Sequence, residues 1–449
     1  MSSLGLQRIY RAIMESHGLA CERAFLPDQD HRDDIPRTYE SLRPLASFPV
    51  VAVSVAYELE LAGLVSLLDA SRIPVHRDKR SETDPIIVAG GPLTFSNAEP
   101  LAAMVDAIVL GEAETVVIDV LRTLESTTDR HRTAQLEALG KIPHVFVPAL
   151  HTTLPPLAVV DNALLPAWAP IRTPHTEFAN MFLIEAERGC SRGCAYCVMR
   201  RSTNGGMRLV AKEKLLGLVP DDARKVGLVG AAVSDHPEIV AIVSALADRG
   251  VDVGLSSLRP DRMTDPFVEA LRRAGTRSLT TAMDGTSERM RQRLERRTQA
   301  KHLIKAAELA RQHGMDRLKL YVMVGVPGET HEDIDECIAF ASELSRLLPV
   351  ALGIAPFCAK RNTPLHGEPY AGIDVVEDRL DRLRRGLRGR VDVRATSARW
   401  AWVEWVLAQG GTAEGQAVID AVRAGGTFAA YKRAFAARPP SSDRPVTTP

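Results

Sequence analysis

Three of the six cysteines in this 449-residue chain lie close together: Cys190, Cys194 and Cys197, in Glu187-Arg-Gly-Cys-Ser-Arg-Gly-Cys-Ala-Tyr-Cys197. Thiolates are soft ligands that suit zinc and iron–sulfur clusters. A glycine-punctuated C-x3-C-x2-C loop can ligate three irons of a four-iron cluster, leaving the fourth iron open to an exogenous ligand. A zinc site would want a second cysteine or histidine pair, and none lies nearby. An electron-transfer ferredoxin would want a fourth cysteine, but Cys21, Cys337 and Cys358 are distant in sequence. A buried structural trio is the plain alternative.

Such a loop needs a scaffold, and residues 178 to about 360 alternate between strand and helix patterns, the signature of a parallel sheet wrapped by helices. Candidate strands are Phe182–Glu187, Lys225–Val229, Val251–Leu255, Ser278–Ala282, Arg317–Val324 and Ala351–Pro356. Ile239, Ile242, Val243 and Leu246 give an apolar stripe at helical spacing, opened by Ser234 and Asp235. Thr264 or Asp265 suits the cap of the next helix, and Thr330 with Asp333 a capping box for a helix through Cys337. The cysteines follow the first strand at its C-terminal end, where βα folds place their chemistry.

Residues 1–147 also read as βα units, with strands at Val50–Val55, Pro85–Ala89 and Ala107–Leu110, predicting a doubly wound, Rossmann-like domain. The chain opens on a helix, Ser2–His17, so either Met1 is an internal methionine of a longer frame or the domain lacks its first strand. A proline-rich connector, 148–175, suits a semi-rigid linker. A barrel region, 176–370, and a helical region, 371–449, follow; the last ends in a tail of disordered composition. Charge is balanced, with 56 basic and 56 acidic residues, so nothing pulls globally toward nucleic acid or an anionic membrane. No signal peptide and no run of about 20 apolar residues is present. Few, unpaired cysteines fit a reducing cytoplasm.

The cysteine loop, with Tyr196 just before its third thiol, resembles that of radical S-adenosylmethionine (SAM) enzymes. The resemblance implies a partial (β/α)6 barrel, a 4Fe–4S cluster on Cys190, Cys194 and Cys197, and SAM chelated by the open iron. It also implies a flavodoxin- or ferredoxin-type reductant and a 5′-deoxyadenosyl radical released from SAM. Pro-Ile-Ile-Val-Ala-Gly-Gly-Pro, Asn97-Ala-Glu-Pro100 and Ile-Val-Leu-Gly-Glu-Ala-Glu114 resemble the branch with an N-terminal cobalamin-binding-type domain. The D-x-H-x-x-G cobalt-ligand motif is absent, since Gln29 stands two residues before His31. Cobalamin is thus left open as a cofactor, bound without a histidine if at all; a domain that keeps the fold and has lost the ligand is the alternative.

Tyr321-Val-Met-Val-Gly-Val-Pro-Gly-Glu-Thr330 resembles the superfamily's fifth-strand motif, which assigns Gly325, Val326 and Pro327 to the adenine. The second strand lacks the Gly-Gly-Glu that relatives use for the SAM amine, leaving Gly230 and Asp235 to supply a turn and a carboxylate. Asp284 is placed either near the ribose or methionyl amine or as a helix cap. Ser257 and Arg259 end the third strand, and Arg259 suits the SAM carboxylate by its bidentate fork, or else a surface salt bridge. Lys360, Arg361 and His366, in a Pro-x-x-Thr-Pro-like segment, are expected at the substrate opening, with Cys358 a relay or a plain buried thiol. C-terminal arginines beside Trp400, Trp402 and Trp405 suit an RNA-modifying enzyme; Arg379, Arg382 and Arg385 with Leu380, Leu383 and Leu387 suit an amphipathic helix, which we favour. The substrate itself is not legible. A non-catalytic iron–sulfur electron-transfer or scaffold protein is the reading from a different class.

Overall fold

The computed structural model describes residues 3–27, 35–129, 131–199, 206–256 and 258–438. Ser257, the Gln29–His31 segment and the tail beyond Arg438 lie outside them.

The helix Leu4–Met14, capped by the Ser3 hydroxyl, precedes the first described strand. Strands β1 (Val50–Ser54), β2 (Ile86–Gly90) and β3 (Ala107–Val109) form a parallel ladder, extended by the antiparallel β4 (Val145–Phe146). β2 and β3 are apolar throughout and buried on both faces, as parallel strands flanked by helices must be. β1, at the edge, is only partly covered.

The second part starts with β5 (Phe182–Glu185), then the short antiparallel pair β6 (Glu187–Arg188) and β7 (Arg208–Leu209), which brackets the cysteine loop. β8 (Lys225–Val229) and β9 (Asp252–Leu255) join β5 in a parallel ladder. A second parallel ladder holds β10 (Ser278–Asp284), β11 (Arg317–Val324), β12 (Val350–Pro356) and β13 (Asp392–Ala395). Leu258 joins the two: its N–H donates to the Thr280 carbonyl (2.9 Å) and its own carbonyl accepts from Thr281 Oγ1 (2.5 Å). The result is an open, partial barrel with one parallel strand more than the six expected. β13 escapes a sequence reading because it is short and carries no buried residue to set a period of two.

Alternation along β11 separates two faces. Leu318, Leu320, Val322 and Val324 are buried under the helices, each adding about 1.5–3 kcal/mol if fully covered. Lys319, Tyr321 and Met323 point to the concave side, where Tyr321 keeps 40 % exposure. The Thr330–Asp333 capping box forms, whereas Thr264 stands at its helix start without a side-chain bond. Residues 148–175 touch both sheets, with Ala158 bridging to Gly111 and Trp168 to Ile184. No described helix is long and apolar enough to cross a membrane.

At the C-terminal end, Trp402 and Trp405 are buried in the core and Trp400 packs edge-on against Tyr431. Arg379 and Arg382 of the helix Ile373–Leu387 bind Glu329 and Asp335, so these two arginines are ion-paired.

Candidate active site

β5 delivers the chain to Gly189, whose φ of +93° turns it into the cysteine loop. The Cys197 N–H donates to the Cys194 carbonyl (3.2 Å), and Ala195 pairs its N–H with the Leu294 carbonyl (3.0 Å). Cys194 is buried and Cys190 and Cys197 are half-buried; all three are free thiols. Burial pushes the Cys190 thiol up and the Cys197 thiol up to about 11, against the backbone N–H groups of Arg192 and Met199 that bond their sulfurs. The Cys194 thiolate also raises both, and Cys190 raises Cys197. Among the described residues the three do not yet form a group set for a metal ion. The donor set nevertheless fits an iron–sulfur cluster: three soft ligands near enough to repel as anions, with N–H donors on two sulfurs. Binding such a cluster would release the thiol protons.

A cation sits behind the loop. Arg296 Nη1 lies 3.9 Å from Cys194 Sγ, and its guanidinium pairs closely with Asp284. Burial opposes that charge, but Asp284, Tyr196 and Cys194 keep Arg296 firmly protonated. The Tyr196 hydroxyl bonds Asp284, which has a φ of +63° where the β10–β11 register shifts. Asp284 is therefore spent on Arg296 and Tyr196, and the following helix is capped by Ser287 instead.

Asp235 and Arg259 find each other. Arg259 Nη1 lies 2.6 Å from Asp235 Oδ2, its other arm binds Asp261, and Ser191 and Arg262 also reach Asp235. The fork expected for a ligand carboxylate is occupied by two protein carboxylates. Gly230 has a different reason: a Cβ there would stand 2.2 Å from Glu187 Oε1. Glu187 accepts the Ala232 N–H (2.6 Å), yet its Oε2 has no partner and the residue is 1 % exposed. Burial raises its carboxyl to about 7. At the end of β11, Gly325 (φ +80°) donates to Glu329 Oε2 (2.7 Å), which Arg379 also binds; Val326 is buried and Pro327 completes the turn. Sequence reasoning missed Glu187, Arg296 and Glu329. Only Glu187 left a signal, as an acid beside the first cysteine.

Lys360 and Arg361 turn away from the barrel opening toward the first sheet. Lys360 Nζ lies 2.6 Å from Glu58 and 2.7 Å from Glu404; Arg361 binds Glu99 (2.7 Å). Nearby, Asn97 Nδ2 donates to the carbonyls of Leu407, Ala408 and Gly410. Glu112 and Glu114 grip Arg188, and Glu112 also Arg208. A Cβ on Gly91 would meet Val55 backbone at 2.7 Å, and one on Gly111 would meet Ala158 backbone at 2.6 Å. Ligands of doubly wound sheets sit outside the carboxyl ends of the strands. Here the groups just named are engaged by other parts of the protein. Cys358 is a half-buried thiol donating to the Ala401 carbonyl (3.1 Å).

Known proteins resemble this chain in sequence and in fold. Residues 5–148 match the family model described as radical SAM proteins, N-terminal, and residues 184–341 that of the radical SAM superfamily. An uncharacterized protein of Methanocaldococcus jannaschii is 27 % identical over 345 residues, 74 % of this chain and 71 % of that one. The ribosomal protein uS12 methylthiotransferase RimO of Geobacter sulfurreducens is 25 % identical over 217 residues, 45 % of this chain and 47 % of that protein. Among solved structures, the cobalamin-dependent S-adenosylmethionine radical enzyme OxsB with aqua-cobalamin bound has a TM-score of 0.52 at 12 % identity, over 86 % of this chain and 54 % of that one; the likeness is one of fold. The two family matches take in the first sheet and the cysteine loop alike, and by them the chain belongs to the radical SAM superfamily of enzymes.

Proposed function

We propose that the chain binds a 4Fe–4S cluster through Cys190, Cys194 and Cys197 and uses it to cleave SAM. When bound, cluster and SAM supply the reductive chemistry that yields a 5′-deoxyadenosyl radical, given an electron from a flavodoxin- or ferredoxin-type donor. The observation that carries this reading is three free thiols in one loop at the end of β5, backed by Arg296 and by N–H donors.

The protein's own residues hold and shield. The Arg296 charge sits beside the Cys194 sulfur and lowers the cost of an anionic cluster. Glu187 after β5 and the turn Gly325–Pro327 after β11 supply a carboxylate oxygen and backbone groups at the carboxyl ends of separate barrel strands, suited to a ligand with an amine and a purine. The first sheet serves as a clasp on the barrel, so the chemistry proceeds without cobalamin. RNA is not part of the reading, because Trp402 and Trp405 are core residues and Arg379 and Arg382 are paired.

The test is anaerobic reconstitution followed by dithionite and SAM. Deoxyadenosine should form, fall to background in Cys194→Ala, and be unchanged by added cobalamin. A well-formed reducible cluster that yields no SAM product would favour the electron-transfer or scaffold alternative. S-adenosylhomocysteine formed only with cobalamin would overturn the clasp reading.

A further inference from the structure

The helix Leu4–Met14 lies against the β5 edge of the barrel, with Leu4 toward the concave face and Arg11 over Trp168, which packs with Phe182 on the helix-covered face. Leu4 packs with Ala167, Ala169 and Leu183, and a Cβ on Gly227 would meet Leu183 and Met181, so these side chains stand on the face opposite the helix-covered core. The same helix face carries Arg8 and Arg11, which are 6 % and 9 % exposed. Four other buried arginines, Arg80, Arg132, Arg259 and Arg291, each have a carboxylate partner. Arg8 has none among the described residues, and its Nε is buried without a hydrogen bond. Arg11 lies over the Trp168 ring at 4.0 Å, reaches the Trp168 carbonyl at 3.5 Å and has only the exposed Glu15 at 3.6 Å; its Nε is unsatisfied too. Two neighbouring buried guanidiniums with this little compensation are strongly unfavourable in an isolated fold. They suit an oxyanion, whose oxygens match the planar fork.

We propose that Arg8 and Arg11 form an anion site at this edge of the barrel, taking a carboxylate or phosphate group.

Thermal unfolding of the reconstituted full-length chain tests it, with inorganic phosphate in one arm and acetate in the other at constant ionic strength. The melting temperature should rise saturably in at least one arm, and the arm that saturates at lower concentration identifies the preferred group. Arg8→Gln should abolish the rise. Arg8→Lys, which keeps charge without the fork, should raise the half-saturating concentration about tenfold. Without added anion, Arg8→Met should melt higher than the parent, because an unpaired buried charge is gone. Equal responses to both anions in parent and Arg8→Gln would overturn the proposal, as would an Arg8→Met chain that melts lower than the parent. The readout needs no turnover: absent deoxyadenosine would remove the functional reading and leave the anion site standing, and a missing anion response would do the reverse.

Discussion

The two sheets end in opposite ways. At the carboxyl ends of β1, β2 and β3, polar side chains are spent on the rest of the protein: Glu58 on Lys360, Asn97 on helix-end carbonyls, Glu112 on Arg188 and Arg208. At the carboxyl ends of the barrel strands, groups are left with capacity to spare: three free thiols and a buried Glu187 oxygen without a partner. Similar βα architecture thus supports a clasp in one place and a site in the other. The difference lies in the three free thiols, since Glu58 also keeps one buried oxygen without a partner, and fold alone does not reveal it.

That contrast can be broken most forcefully at Lys360. Lys360→Met leaves Glu58 and Glu404 facing each other without a cation, which should cost about 3–5 kcal/mol in urea unfolding. A loss under about 1 kcal/mol would mean that the junction does little to hold the sheets together. At the barrel end the sign reverses. Glu187 has its carboxyl raised from 4.5 to about 7 by burial, so the folded state holds a proton the unfolded state has released. Stability should fall as pH rises from about 4.5 through 7 and then level, by an amount on the order of 3 kcal/mol. Glu187→Gln should remove that slope and be the more stable chain at pH 8; an unchanged slope would show that Glu187 titrates normally. Asn97→Ala is the mildest change. It removes three bonds to carbonyls at the end of the helix Ala398–Gln409, for about 1–2 kcal/mol. Deoxyadenosine formation per folded molecule should be untouched, and a selective loss of activity would blur the line between clasp and site.

Much of this was legible in the residues. Lys225–Val229 and Arg317–Val324 are strands at the expected limits because their apolar runs stop at clear breaks. The cysteine loop stood out because its three thiols are adjacent in sequence. β4, β6 and β7 were invisible, since two residues carry no period. The site's polar partners were hidden for another reason. Glu187 meets Gly230 and Ala232 from a neighbouring strand, and Arg296 meets Asp284 and Cys194 from a third segment. Residue type proposed Asp235 and Arg259 for a ligand, but only their placement showed that they neutralise each other. Lys360 and Arg361 were assigned to the opening by motif, and the fold turned them to the junction.

The acceptors of Asn97 stand 310, 311 and 313 residues further along the chain. A ribosome therefore delivers the first sheet long before it delivers the helix end that Asn97 holds. Domains commonly fold in order of synthesis, but here the earliest strands wait, half-finished, for nearly the whole polypeptide. A nascent chain halted anywhere before residue 407 leaves Asn97 with no carbonyl to hold, even where Lys360 and Arg361 have already reached the first sheet. Premature termination would leave that one amide open to the wrong partner.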